Sequence, residues 1–119
     1  MTSYEEEFLS TGQEARRLSI ALLQFIQIDD PEWKNKYQKY LSLRFRPALS
    51  TLICEGDLTR IRALCSFAPV TESALNSFID VAVQNQQEEI LSFLMKLKKD
   101  RFGFHDREFT LKTVLRGFL

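Results

Sequence analysis

The chain has 119 residues, 45% hydrophobic and 27% charged, a length and balance that fit one globular domain around a single core. Its 16 Lys+Arg offset its 16 Asp+Glu, which leaves no global field to gather nucleic acid or an anionic membrane. Two cysteines exclude a disulfide framework, and interruption of the longest apolar stretch, Leu22-Leu23 and Phe25-Ile26, by Gln24 and Gln27 excludes a membrane span.

No positively charged start precedes a long apolar run, so no signal peptide is expected and the chain reads as a soluble cytoplasmic protein. Only four glycines and three prolines occur, and no alternating apolar–polar runs lie between turn signals, so the fold class is all-α.

Two helix-start signals compete near the beginning: Ser3 with Glu6, and Thr11 with Glu14, both at capping-box spacing, with Gly12 between the pairs. From Ala15 the helical period predicts a stripe of Ala15, Leu18, Leu22, Phe25 and Ile26, widened by Ile20, Leu23 and Ile28. Asp29 or Asp30 caps the next helix, with Pro31 at its first position, where a missing N–H costs nothing.

That helix, Pro31 to about Phe45, carries Trp33, Tyr37, Tyr40 and Leu41 at three- and four-residue steps. Between Trp33 and Arg46 lie Lys34, Lys36, Lys39, Arg44 and Arg46 with no acid among them, whereas acids dominate the first 32 residues. Residues 1–46 are therefore expected to form an N-terminal helix pair that caps the rest of the chain.

Pro47 opens a first hairpin over 47–68, whose helices meet at Glu55-Gly56-Asp57; glycine allows the positive-φ turn and Asp57 caps the second helix. Pro69 ends that unit, and Thr71 caps the first helix of a second hairpin over 70–101. There Leu75, Phe78, Ile79 and Ala82 share one face, and Ser73, Asn76, Asp80 and Gln84 share the opposite one. Ile90, Leu91, Phe93, Leu94 and Leu97 line the second helix of that hairpin. Residues 102–119 are expected to be a tail or a short helix from Asp106 to Leu119, with Phe102, Phe104 and Phe109 docked on the core.

Ala82-Val83-Gln84-Asn85-Gln86-Gln87-Glu88-Glu89-Ile90-Leu91-Ser92-Phe93-Leu94-Met95 resembles the helix-pair core of an ankyrin repeat. Superposing the first unit sets Gly56 against Gln86 and Ile61 against Leu91, a spacing of 30 residues. The family's opening Thr-Pro-Leu-His signature is absent, the second unit lacks the turn glycine, and 67–73 is too short for a β-hairpin finger. The resemblance implies a stacked array of antiparallel helix hairpins that binds a protein without catalysis. With no fingers, it implies that Ser73, Asn76, Asp80 and Gln84 carry the binding.

The competing reading is nucleic-acid binding, with Lys34, Lys36, Lys39, Arg44 and Arg46 on phosphates and Trp33 and Tyr37 stacked on unpaired bases. The plain alternative makes Trp33, Tyr37, Tyr40 and Leu41 a core stripe with the lysines as its wet side, and a third reading packs the acidic first helix beside this one and cancels the patch. Cys54 and Cys65 read as small buried hydrophobes, and His105 has no partner ligands for zinc. No phosphate-binding glycine loop or nucleophile elbow occurs, so neither a catalytic role nor a cofactor is expected. Weak self-association is expected through Phe102, Phe104 and Phe118.

Overall fold

Seven α-helices make up residues 3–103, the part of the chain that the computed structural model describes. They are α1 (Tyr4–Ser10), α2 (Glu14–Gln24), α3 (Pro31–Leu43), α4 (Phe45–Glu55), α5 (Leu58–Phe67), α6 (Glu72–Gln84) and α7 (Glu88–Phe102), with no strand among the described residues. The expected last helix, His105, Phe104, Phe109 and Phe118 lie outside the described residues.

Both early start signals are used, so the segment ahead of Pro31 holds two helices where one was expected. The Ser3 side chain accepts a hydrogen bond from the Glu6 N–H at 3.1 Å and caps α1. Thr11 turns the chain, its Oγ1 accepting from the Gln13 N–H at 3.2 Å, and α2 begins at Glu14. A second break falls at Arg44, one helix turn earlier than Pro47 suggests. A proline has no N–H to bond the carbonyl four residues back and its ring collides with that group, so Pro47 fits only in a first turn. The helix through Leu43 must therefore end before it, and α4 restarts at Phe45.

α2 also sits rotated from its expected stripe. Ile20, Ala21, Leu22, Gln24 and Phe25 are buried, whereas Ala15 is exposed and Leu23 and Ile26 keep 39% and 38% of their surface. That rotation seats Phe25 edge-on against Phe67 of α5, with ring centroids 5.9 Å apart. It also turns Arg17 back toward the carbonyls of Phe8 and Thr11, to which it donates at 3.1 and 2.6 Å.

The helices follow one another in space: α1 on α2, α2 on α3, α3 on both α4 and α5, α4 on both α5 and α6, and α6 on α7. The principal extents are 53 × 24 × 21 Å, and the radius of gyration of 15.8 Å exceeds the roughly 13 Å of a compact domain of this length. Tyr37, Leu41, Leu49, Leu52, Ile53, Ile61, Leu64, Leu75 and Leu94 are wholly buried along that axis.

Two turns in this row are the same structure. At the end of α4 the Gly56 N–H bonds the Ile53 carbonyl (3.1 Å) and the Asp57 N–H bonds the Leu52 carbonyl (3.0 Å). At the end of α6 the Gln86 N–H bonds Val83 (3.0 Å) and the Gln87 N–H bonds Ala82 (3.0 Å). Every one of these four positions is displaced by 30 residues, and Gly56 and Gln86 are both left-handed, with φ of 72° and 54°. This is the Schellman closure of a helix, which asks for a residue tolerant of positive φ.

Only the first copy has the residue that the conformation favours. Gln86→Gly should therefore stabilise the protein by about 0.5–1 kcal/mol, by releasing a side chain held at positive φ. Gly56→Ala should cost at least about 1 kcal/mol, because a Cβ there is strained and meets the Gln87 amide at 3.2 Å. Paired thermal melts check both, and equal signs would show that the two turns are not equivalent.

Arginines close several helix C-termini, where unsatisfied carbonyls concentrate the negative end of the dipole. Arg17 serves α1 through its bonds to Phe8 and Thr11. Arg60 of α5 donates to the carbonyls of Leu22 (2.7 Å) and Leu23 (3.3 Å) in α2 while pairing with Asp57 at 3.0 Å. Arg101 of α7 donates to the Cys65 carbonyl of α5 at 2.9 Å. These contacts tie helices far apart in sequence into one row.

Candidate functional site

The four residues assigned to partner contact lie together on α6. Thr71 caps this helix by accepting from the Ala74 N–H at 3.1 Å, and Leu75, Phe78, Ile79 and Ala82 are buried on its inner side. Ser73, Asn76, Asp80 and Gln84 are set on the other side, all four exposed. No ion pair of Asp80 is found among the described residues, so its carboxylate faces water.

The 30-residue register extends this face to a second helix. α4 packs directly on α6, with the Phe45 and Phe78 rings edge-on at 6.0 Å. The α4 positions equivalent to Asn76, Asp80 and Gln84 are Arg46, Ser50 and Cys54, of which Arg46 and Cys54 are exposed and Ser50 half-buried. Sequence reasoning did not place Arg46, Ser50 and Cys54 beside the α6 residues, although the register that aligns Gly56 with Gln86 also aligns these three pairs.

Cys54 is thus a correction: it lies on the outer side of α4, not in the core. The run Leu52-Ile53-Cys54 gave it apolar neighbours, but in a helix adjacent residues point about 100° apart, and Leu52 and Ile53 take the buried side. Cys65 is buried as expected, and burial pushes its thiol up to about 11 despite the nearby Arg101.

The aromatic side chains of the basic segment, and Arg44 among its cations, are engaged by the N-terminal helices. Tyr37 is wholly buried, its hydroxyl donating to Glu5 at 3.1 Å, so no base can stack on it. Trp33 is half-buried, edge-on to the Phe8 ring at 6.1 Å, while Lys36 lies over its indole at 4.6 Å and pairs with Glu32 at 3.5 Å. Arg44 donates to Glu14 at 3.0 Å, and the Tyr40 hydroxyl donates to the same carboxylate. Lys34, Lys39 and Arg46 are the exposed remainder of the patch. The acidic first helices thus neutralise part of it.

These contacts set the titration of the junction. The hydrogen bond from Arg16 holds the Glu7 carboxyl below its usual range; bonds from Tyr40 and then Arg44 do the same for Glu14. Burial and then Glu14 push the Tyr40 phenol up to about 12, and burial and then Glu5 raise Tyr37. A depressed carboxyl stabilises the fold above its ordinary value and loses that contribution as pH falls through its folded-state value. A raised phenol stabilises below 10 and loses its contribution as pH climbs toward about 12. The N-terminal junction should therefore loosen at both extremes. Emission from the single tryptophan should report this below pH 4.5 and above pH 10, and Glu14→Gln should flatten the acid limb.

Two shallow grooves lie on the surface of the described residues. One of about 500 Å³ runs between α2, α4 and α5 over Leu18, Leu22, Leu23, Thr51 and Arg60. The other, about 640 Å³, lies between α5 and α7 over Leu58, Arg62, Phe93, Lys96 and Leu97. No group of three His, Cys, Asp or Glu among the described residues is placed to hold a metal ion. No helix among them is long and apolar enough to cross a membrane. The chain matches no known protein-family model, no curated protein and no solved structure.

Proposed function

We propose that the chain is a non-catalytic protein-binding module, a short ankyrin-like array of helix hairpins that meets its partner through the outer faces of α6 and α4. The observation that carries this reading is the repeated turn: two hairpins, α4–α5 and α6–α7, close with the same hydrogen bonds 30 residues apart and stack first helix on first helix. Such stacking gives each first helix a buried side and a free side, and successive free sides form an extended surface. Only residues 68–71 join α5 to α6, which leaves no room for a projecting finger and concentrates recognition on the helix faces.

Asn76→Arg with Asp80→Arg tests the face. Both positions are exposed, so the melt should move by no more than about 0.5 kcal/mol. Recovery of the native protein partner from nuclease-treated extract should fall by at least about tenfold, as expected when central contact residues are replaced. Unchanged recovery would remove α6 from the interface. Recovery that depends on intact nucleic acid would move the function to Lys34, Lys39 and Arg46.

A further inference from the structure

α1 is held unlike the other helices. It buries a single residue, Phe8, where α4 and α6 each bury five. Its seven residues are too few for a helix to be stable by itself. What seats it is a receptor built from its neighbours. The Phe8 ring enters a box of three aromatic side chains of α3, edge-on to Tyr37 and Tyr40 at 5.1 Å each and to Trp33 at 6.1 Å. Donors from α2 and α3 meet the acids around that ring. The Tyr37 hydroxyl donates to Glu5, and the Arg16 guanidinium grips Glu7 in a two-bonded fork at 2.6 and 2.9 Å.

We infer that this surface of α2 and α3 is a docking groove for an acidic helical peptide with one aromatic anchor, supplied by a protein partner, and that α1 fills it in the unbound chain. The chemistry of the occupant is read from α1 itself: two carboxylates, at Glu5 and Glu7, beside an apolar ring at Phe8. Aromatic box, phenol donor and guanidinium fork all belong to the receiving helices and would meet any segment of that pattern. The Arg16–Glu7 pair is exposed on both sides, 43% and 36%, and ion pairs so exposed hold weakly. Arg17 adds bonds to the Phe8 and Thr11 carbonyls at 3.1 and 2.6 Å, and the Thr11–Gln13 link keeps α1 close, so a high effective concentration adds to these contacts. A partner helix that reaches past the seven residues of α1 gains contact area that α1 does not have. This groove is separate from the α6 face, and the inference stands whether or not that face binds.

The test is a titration of a fluorescent peptide with the sequence Ser3–Thr11 against the full chain and its Phe8→Ala variant. The variant should bind the peptide saturably and at least about tenfold tighter than the wild type, whose own α1 competes. Peptide in which Glu5 and Glu7 are lysine should not bind. A second full-length variant, Glu5→Lys with Glu7→Lys, loosens α1 while keeping the Phe8 ring; it supplies the same comparison if Phe8→Ala does not retain its helical circular dichroism. A folded variant of either kind that leaves the peptide unbound overturns the inference, as does equal affinity for wild type and variants. Two further arms also overturn it: a single-stranded oligonucleotide that displaces the peptide, or a mass that doubles with concentration because copies exchange α1.

Discussion

A Tyr37→Ala chain should lose about 3–5 kcal/mol of folding stability, the cost of deleting a fully buried aromatic ring from a packed site. Tyr37 has no exposed surface, and its ring touches those of both Phe8 and Trp33. Its removal leaves a cavity where α1 meets α3, and α1 has no other buried residue to hold it. For a domain near 100 residues, each kcal/mol lowers the melting temperature by roughly 4–8 °C, so the variant should melt more than about 12 °C below the wild type. Tyr37→Phe keeps the ring and forfeits only the bond to Glu5, which is worth about 0.5–1.5 kcal/mol net. The pair of variants separates ring from hydroxyl, and nearly equal melts would show that the hydroxyl holds the junction.

Leu52→Ala should be comparably severe, at about 3–4 kcal/mol, because Leu52 is wholly buried in the one helix that contacts α3, α5 and α6 together. Its counterpart 30 residues on is Ala82, also wholly buried. The repeated turn is thus built over a large side chain in one hairpin and a methyl group in the other. Ala82→Leu should then overpack its site and cost about 1–3 kcal/mol. Urea denaturation at unchanged m-value is the measurement for both. A neutral Ala82→Leu would mean that free space lies beside α6.

Local chemistry was the part of this chain most readable in advance. Asp30, Asp57 and Thr71 each cap a helix through a side-chain oxygen two or three residues from its donor, and such short-range bonds leave their mark in the sequence itself. The division of α6 into an apolar and a polar side was equally plain, because nothing else in the chain competes with its period. Contacts made across the fold were not. Arg60 reaches Leu22 over 38 residues, and no spacing rule connects the two. The Trp33–Tyr37–Tyr40 stripe was visible, but a stripe states which side of a helix is apolar and not what lies against it; only Phe8 in place decides that. Gln24 shows the same limit, since a polar residue at a buried position gives the period a false phase.

Cys54 has a practical consequence. Thiol reagents attack the thiolate and need access to it. Cys65 is buried and its thiol raised to about 11, whereas Cys54 stands in solvent one residue from the end of α4. Among the described residues the unmodified protein therefore offers one addressable thiol, at the position equivalent to Gln84. A maleimide dye at neutral pH would label the native chain there without an engineered site. If the α6 and α4 faces receive a partner as proposed, its emission would follow that partner, giving a direct signal for titrating candidates.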